Sequence, residues 1–137
     1  MKRIILTIAC LLAGTAQAGM PVEIEANAQD MAGSRLVYAI KERLRASSTM
    51  EQTFVQSKMR LKLNIVTMDR GLESTGLATI YSAAIVLSIP DQTDMFLTHY
   101  VGDCGINRLA GCADYIIAGM DAQLDSLKKI VPTLAKF

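Results

Sequence analysis

The stretch Ser57–Asp69, SKMRLKLNIVTMD, decides how the fold of this chain is interpreted. Apolar and polar residues alternate along it. The apolar positions are Met59, Leu61, Leu63 and Ile65, and the polar positions between them are Arg60, Lys62 and Asn64. An alternation of period two is typical of a β-strand with one buried face. The chain therefore needs a second layer that covers the apolar face of this strand.

Two further strands are predicted downstream of this stretch. A turn-rich segment, residues 69–76, leads into LATIYSAAIVLSIP, residues 77–90, which is apolar on both faces and is therefore expected to be a central strand. Pro90 opens the turn PDQTD, and Met95–Val101 again has the composition of a strand. Because the connections are short, we expect these strands to be antiparallel neighbours.

Two segments have the periodicity of amphipathic helices. The first is Ser34–Ala46, with Ser34 or Asp30 as its N-cap. The second covers residues 113–129, and Asn107 is a candidate cap if that helix begins earlier. The apolar stripe of the first helix consists of Leu36, Val37, Ile40 and Leu44, and that of the second consists of Ala113, Ile116, Ile117, Met120, Leu124 and Leu127.

The order of these elements predicts a two-layer α+β domain. Both amphipathic helices cover one face of an antiparallel sheet of three to four strands. Thr49–Phe54 is a candidate for the additional short strand. Gly19–Asn27 is expected to form a brief edge strand or no strand.

The amino terminus has the three parts of a secretory signal peptide. Two basic residues precede an apolar run over residues 4–14, and Ala-Gln-Ala at residues 16–18 is a small-x-small cleavage site. The apolar run is shorter than the roughly 20 residues that a bilayer span requires. We therefore expect residues 1–18 to be cleaved, which leaves residues 19–137 as one domain in the periplasm or outside a bacterial cell.

The charge that remains after cleavage is close to balanced. Removing Lys2 and Arg3 from 14 basic residues, against 13 acidic ones, leaves a net charge of −1. This balance gives no bulk attraction to nucleic acid or to anionic lipid. No membrane span is expected after signal cleavage, and no cofactor is indicated.

Cys104 and Cys112 form an even pair in a chain that is expected to be exported. An oxidising compartment favours a disulfide between them. A dithiol oxidoreductase would normally carry Cys-x-x-Cys, and seven residues separate these two cysteines. A zinc site with His99, the one histidine of the chain, would have too few ligands and no paired-ligand motif. The sequence therefore predicts a structural disulfide and no metal site.

His99 is the first residue to consider for catalysis, because histidine titrates near neutral pH. On the alternation of its strand it shares a face with Met95, Leu97 and Val101. The chain has no Gly-x-Ser-x-Gly and no His-Glu-x-x-His motif, so no catalytic residue is assigned. A basic row on the predicted strand and His99 are instead candidates for contact with a partner; the row consists of Lys58, Arg60 and Lys62.

Three classes of function remain open at this point. The favoured one is a non-enzymatic binding or accessory module of the bacterial cell envelope, which meets an envelope protein through the uncovered sheet face or an edge strand. The second is a small exported hydrolase that uses His99 with Asp103 or a nearby carboxylate. The third is a structural subunit of an envelope assembly.

Overall fold

A computed structural model describes residues 19–71 and 75–136 as a five-stranded mixed sheet with two long helices. The predicted signal peptide, residues 1–18, lies outside the described residues. In chain order the elements are β1 (Met20–Ala28), α1 (Met31–Arg45), β2 (Met50–Gln52), β3 (Arg60–Asp69), β4 (Ala78–Ser88), β5 (Met95–Gly105) and α2 (Leu109–Ile130), with 3₁₀ turns at Ile106–Arg108 and Pro132–Lys136. The strand order across the sheet is β2-β1-β3-β4-β5.

The first strand corrects the predicted architecture. β1 is nine residues long and lies between β2 and β3, parallel to both, so the sheet is mixed rather than antiparallel. Met20 and Val22 at its start are fully buried. Parallel neighbours need a crossover connection, and α1 lies in the segment that joins β1 to β3. The α+β class with two helices agrees with the prediction, but the antiparallel sheet of three to four strands was wrong, because that prediction rested only on strands joined by short turns.

The three strands β3, β4 and β5 form the predicted antiparallel meander. Leu61, Leu63 and Ile65 of β3 are at most 1% exposed, and they pack in one core with the helices. β4 is central to the sheet, as expected, but only one of its faces is covered. Its buried residues, Tyr81, Ala83, Ile85 and Leu87, alternate with residues that solvent reaches.

The start of α1 is fixed to the sheet by Asp30, the second of the two predicted caps. Oδ2 of Asp30 accepts the backbone N–H of Gly33 at 2.8 Å. Oδ1 accepts the hydroxyl of Thr67 in β3 at 2.7 Å and that of Thr79 in β4 at 3.1 Å. One carboxylate therefore caps the helix and joins it to two strands. A Cβ at Gly33 would lie 1.8 Å from the Thr67 hydroxyl, so only glycine permits this approach.

The second helix buries the whole predicted apolar stripe, from Ala113 to Leu127. It begins at Leu109, four residues before the predicted start. Gly119 lies directly over Tyr100 of β5, where a Cβ would be 2.5 Å from the phenol oxygen. The absence of a side chain at this position lets α2 pack closely on the edge of the sheet.

Candidate functional site

The side of the sheet opposite the two helices is not covered by another layer of the described residues, and we call it the open face. Its residues alternate with the buried ones along each strand and are aligned by the strand register. They are Glu23 and Glu25 of β1, Arg60, Lys62, Asn64, Val66 and Met68 of β3, Ile80, Ser82, Ala84 and Val86 of β4, and Phe96, His99, Val101 and Asp103 of β5.

One end of the open face is ionic, and its first pair is Arg60 with Glu23. The Arg60 side chain donates to the Glu23 carboxylate on the neighbouring strand and to the carbonyl of Gln56 at 2.8 Å. Arg60 is only 6% exposed. The hydrogen bond from Arg60 outweighs burial and lowers the pKa of Glu23. Arg60 therefore joins β1 to β3 and presents little surface to a partner.

Lys62, the next member of the predicted basic row, is also paired. Its Nζ lies 3.3 Å from a Glu25 oxygen and 3.4 Å from an Asp94 oxygen. Burial lowers the pKa of Lys62, but the hydrogen bonds and charges of these two carboxylates outweigh burial and raise it. Lys58 lies in the loop before β3 and is exposed. Two of the three members of the basic row, Arg60 and Lys62, are thus paired with acids from β1 and from the β4–β5 turn.

The other end of the open face carries apolar side chains that solvent reaches, next to Asp103, which lies across from Ile80. Val66 and Val101 face each other across Ser82, and Met68 lies beside Ile80 in the next row. We call these four exposed side chains the apolar patch: Val66 (51%), Met68 (57%), Ile80 (38%) and Val101 (65%). The sequence analysis did not identify them as a site. The sequence does contain a pattern that indicates such a patch. Residues 77–90 are apolar on both faces of the strand, and a two-layer fold covers only one face of its sheet.

His99 lies on the open face, but its surroundings differ from the prediction. Leu97 is an extra residue in β5 at a β-bulge, which shifts the pairing with β4. Met95 and Leu97 therefore leave the face that His99 shares with Val101, and the prediction for these two residues was wrong. The ring of Phe96 lies nearest instead, with its centroid 6.1 Å from that of His99.

A carboxylate partner for His99 is not found in the described ranges. Asp103, which the hydrolase hypothesis pairs with His99, is bound by Nη1 of Arg70 at 2.6 Å. No hydrogen bond or ion pair to His99 occurs among residues 19–71 and 75–136. A general base needs a group that orients it and holds its charge, and among the described residues the side-chain contact of His99 is with the ring of Phe96.

The cysteines join the end of β5 to the first turn of α2. The two sulfur atoms of Cys104 and Cys112 are at bonding distance. Cys104 is 1% exposed, whereas Cys112 is half-buried. In the described part of the chain, no group of three or more His, Cys, Asp or Glu side chains is arranged to hold a metal ion. The pair thus has the geometry of the predicted structural bridge.

One polar atom of the open face lacks a partner. Oδ1 of Asn64 is buried and receives no hydrogen bond from the residues that the structure describes. Asn64 lies beside Glu25 on one side and Ala84 on the other, next to the apolar patch. Buried polar atoms in proteins usually have a hydrogen-bond partner, and this buried oxygen is an exception among the described residues.

Comparison with known proteins adds little to this description. No protein-family model matches the chain, and no curated protein matches it. Among solved structures the chain is similar to the rare lipoprotein B from Shewanella oneidensis, at 14% identity and a TM-score of 0.40, over 77% of this chain and 98% of that chain. A resemblance this low assigns neither a family nor a function. No helix in the described ranges is long and apolar enough to cross a membrane.

Proposed function

We propose that this chain is a non-enzymatic accessory protein of the bacterial cell envelope that binds a protein partner through the open face of its sheet. The observation that carries the proposal is the apolar patch. The outer face of a half-covered antiparallel sheet is normally polar, whereas these four side chains, more than a third exposed, lie side by side.

The patch resembles the kind of surface that proteins use for recognition. Contiguous apolar patches on soluble monomers rarely exceed about 300–600 Å², and the largest is often functional. Val66, Val101, Met68 and Ile80 present branched or flexible side chains on three neighbouring strands. A partner that covers them removes apolar area from water, which stabilises the complex by about 25 cal/mol per Å² before the costs of association.

The electrostatics of the face limit the chemistry of the partner. Arg60, Lys62 and Arg70 are each paired with a carboxylate of this chain. The face therefore offers no row of free cations to a polyanion, which argues against nucleic acid. The partner that fits is a protein surface with an apolar centre and few charges.

The proposed location follows from the amino terminus and the cysteines. A cleavable signal peptide over residues 1–18 would export the chain, and a disulfide between Cys104 and Cys112 suits an oxidising compartment. Both features support a partner in the envelope or outside the cell.

The experiment compares cross-linking in intact cells for the wild type and two matched variants. Val101→Lys places a charge in the apolar patch, and Ile130→Lys makes the same kind of change at another exposed apolar residue, at the end of α2. We expect one discrete adduct in the wild type and in Ile130→Lys, and at least a tenfold loss of it in Val101→Lys. Circular dichroism of the purified variants verifies that both remain folded.

Three results would contradict the proposal. The first is an adduct that forms equally in Val101→Lys and in the wild type. The second is the absence of any discrete adduct. The third is an adduct of twice the mass of the chain, which would assign the open face to self-association rather than to a different protein.

A further inference from the structure

A cavity at the start of α2 lies beside the edge strand β5, shares only Asp103 with the open face and has the features of a ligand site. Its volume is about 430 Å³, within the range of small-molecule pockets. Its lining combines two phenols, a guanidinium, a carboxylate and one sulfur of the disulfide: Tyr81, Tyr115, Arg108, Asp103, Cys112 and Gly111.

Tyr81 supplies a hydroxyl group that has no hydrogen-bond partner among the described residues. This residue is 6% exposed and lies in the core, and its ring extends across Gly102 of β5 toward the cavity. A Cβ at Gly102 would lie 2.9 Å from the Tyr81 oxygen, so glycine leaves room for the ring. The Tyr81 hydroxyl makes no hydrogen bond with the residues that the structure describes, and Tyr81 is part of the cavity lining.

The Tyr81 hydroxyl is a donor at neutral pH. Burial raises its pKa, and the neighbouring Tyr115 and Asp103 add to that increase. The phenol therefore keeps its proton, and an acceptor that enters the cavity meets an O–H group rather than a phenolate.

The charges around the cavity favour an anion. Arg108 is exposed and has no ion pair with the described residues. Asp103 is the acid of the cavity, and it is paired with Nη1 of Arg70 at 2.6 Å. The first turn of α2 contains no acidic residue and no side-chain cap, so the positive end of the helix dipole adds to the charge of Arg108.

We propose that this cavity binds a small organic carboxylate. Its oxygens accept hydrogen bonds from the Arg108 guanidinium, which suits a planar carboxylate, and from the Tyr81 hydroxyl. Its apolar body lies against the Tyr115 ring and the disulfide at Cys112, which form the less polar part of the lining. This inference does not depend on the proposed partner surface, because none of the four residues of the apolar patch lines the cavity.

Benzoate is a suitable probe, because it combines a carboxylate with an aromatic body. We would titrate the oxidised protein with benzoate and follow its backbone amides by two-dimensional NMR. The expected result is saturable binding, with the largest shifts over residues 102–115. A hydrogen bond to a charged group contributes about tenfold or more in affinity, so Tyr81→Phe and Arg108→Gln should each weaken binding at least tenfold.

Two control variants keep the test specific. Tyr38→Phe removes the hydroxyl of an exposed tyrosine on α1, and Arg35→Gln removes an exposed cation on the same helix. Both should bind benzoate as the wild type does. Arg108 is exposed, so its variant is expected to fold and tests the proposal even if Tyr81→Phe does not fold.

Three outcomes would overturn the inference. Absence of saturation at tens of millimolar benzoate would show that the cavity is no carboxylate site. Equal affinity in Arg108→Gln and Arg35→Gln would show that the guanidinium plays no part. Inorganic phosphate that bound as tightly as benzoate would contradict the role of the apolar wall.

Discussion

Replacing Asp30 with alanine should destabilise the fold far more than a typical loop substitution does. The carboxylate of Asp30 performs three tasks, because it caps α1 at Gly33 and accepts the hydroxyls of Thr67 and Thr79. Asp30→Ala removes all three interactions at once and leaves the strands and the apolar core unchanged.

The size of the effect depends on whether each group that donates to Asp30 keeps another hydrogen-bond acceptor. Loss of an N-cap costs about 1 kcal/mol. The Thr67 hydroxyl belongs to a residue that is 1% exposed, and its loss of an acceptor costs about 1–3 kcal/mol more. Thr79 still donates to the carbonyl of Met68 at 3.1 Å, so it adds little. The sum is about 2–4 kcal/mol, a large fraction of the roughly 5–15 kcal/mol that stabilises a domain.

Urea unfolding followed by far-ultraviolet circular dichroism measures the effect. Asp30→Asn keeps a cap and one acceptor oxygen, and we expect it to cost no more than about half as much as Asp30→Ala. Thr67→Val removes the buried hydroxyl that Asp30 accepts. Asp30→Ala should therefore destabilise the Thr67→Val protein less than it destabilises the wild type. The reasoning is refuted if Asp30→Ala lies within about 0.5 kcal/mol of the wild type, the range of ordinary surface substitutions.

Three other predictions concern backbone approach, the disulfide and pH. Gly33→Ala should destabilise the protein by about 1–3 kcal/mol in the same urea assay, because its methyl group would overlap the Thr67 hydroxyl; a gain in stability, as helix propensity alone predicts, would contradict the packing. Reduction of the disulfide with a phosphine should cost about 2.5 kcal/mol, because it frees a short loop in the unfolded chain; an unchanged urea midpoint would contradict this. Glu23→Gln should destabilise the protein at pH 7, where the paired carboxylate is ionised. Arg60 lowers the pKa of Glu23 in the folded protein below its ordinary value of 4.5. The difference in unfolding free energy between the wild type and Glu23→Gln should therefore be fully present above pH 4.5 and should disappear as the pH falls through the lowered pKa of the folded state. A difference that is the same at pH 3 and pH 7 would refute the ion-pair account.

Local periodicity predicted those parts of the fold that depend on one segment at a time. The alternation along β3 and the helical stripe from Ala113 to Leu127 correspond to the buried residues of the structure. The predicted cap at Asp30 was one of two alternatives, and its bonds to β3 and β4 decide between them. For β3 and α2, the residues of a single element are sufficient to predict which of its side chains are buried.

Pairing between distant segments could not be predicted in this way. The place of β1 between β2 and β3 depends on a crossover that contains α1, and the residues of β1 do not encode which strand they meet. The environment of Arg60 could not be predicted for the same reason. Arg60 was predicted to be an exposed cation, but it pairs with Glu23, which lies 37 positions earlier in the sequence. The bulge at Leu97 likewise reassigned the neighbours of His99, because a single extra residue exchanges the two faces of a strand.

The contact surface on the open face was predicted only in part, because its residues come from different strands. Sequence analysis placed the contact surface on a basic row, whereas the structure neutralises Arg60 and Lys62 within the chain. The apolar patch is formed by β3, β4 and β5 together, so it becomes visible only once the register aligns Val66 with Val101.

The central claim is that the open face meets a protein partner, and site-specific photo-cross-linking in intact cells tests it most directly. A photoreactive amino acid would replace Val66 or Val101 on the open face, and Tyr38 on the exposed side of α1 as a control. The proposal predicts the same discrete adduct from both open-face positions and none from Tyr38. Equal labelling from all three positions, or an adduct from Tyr38 alone, would contradict it.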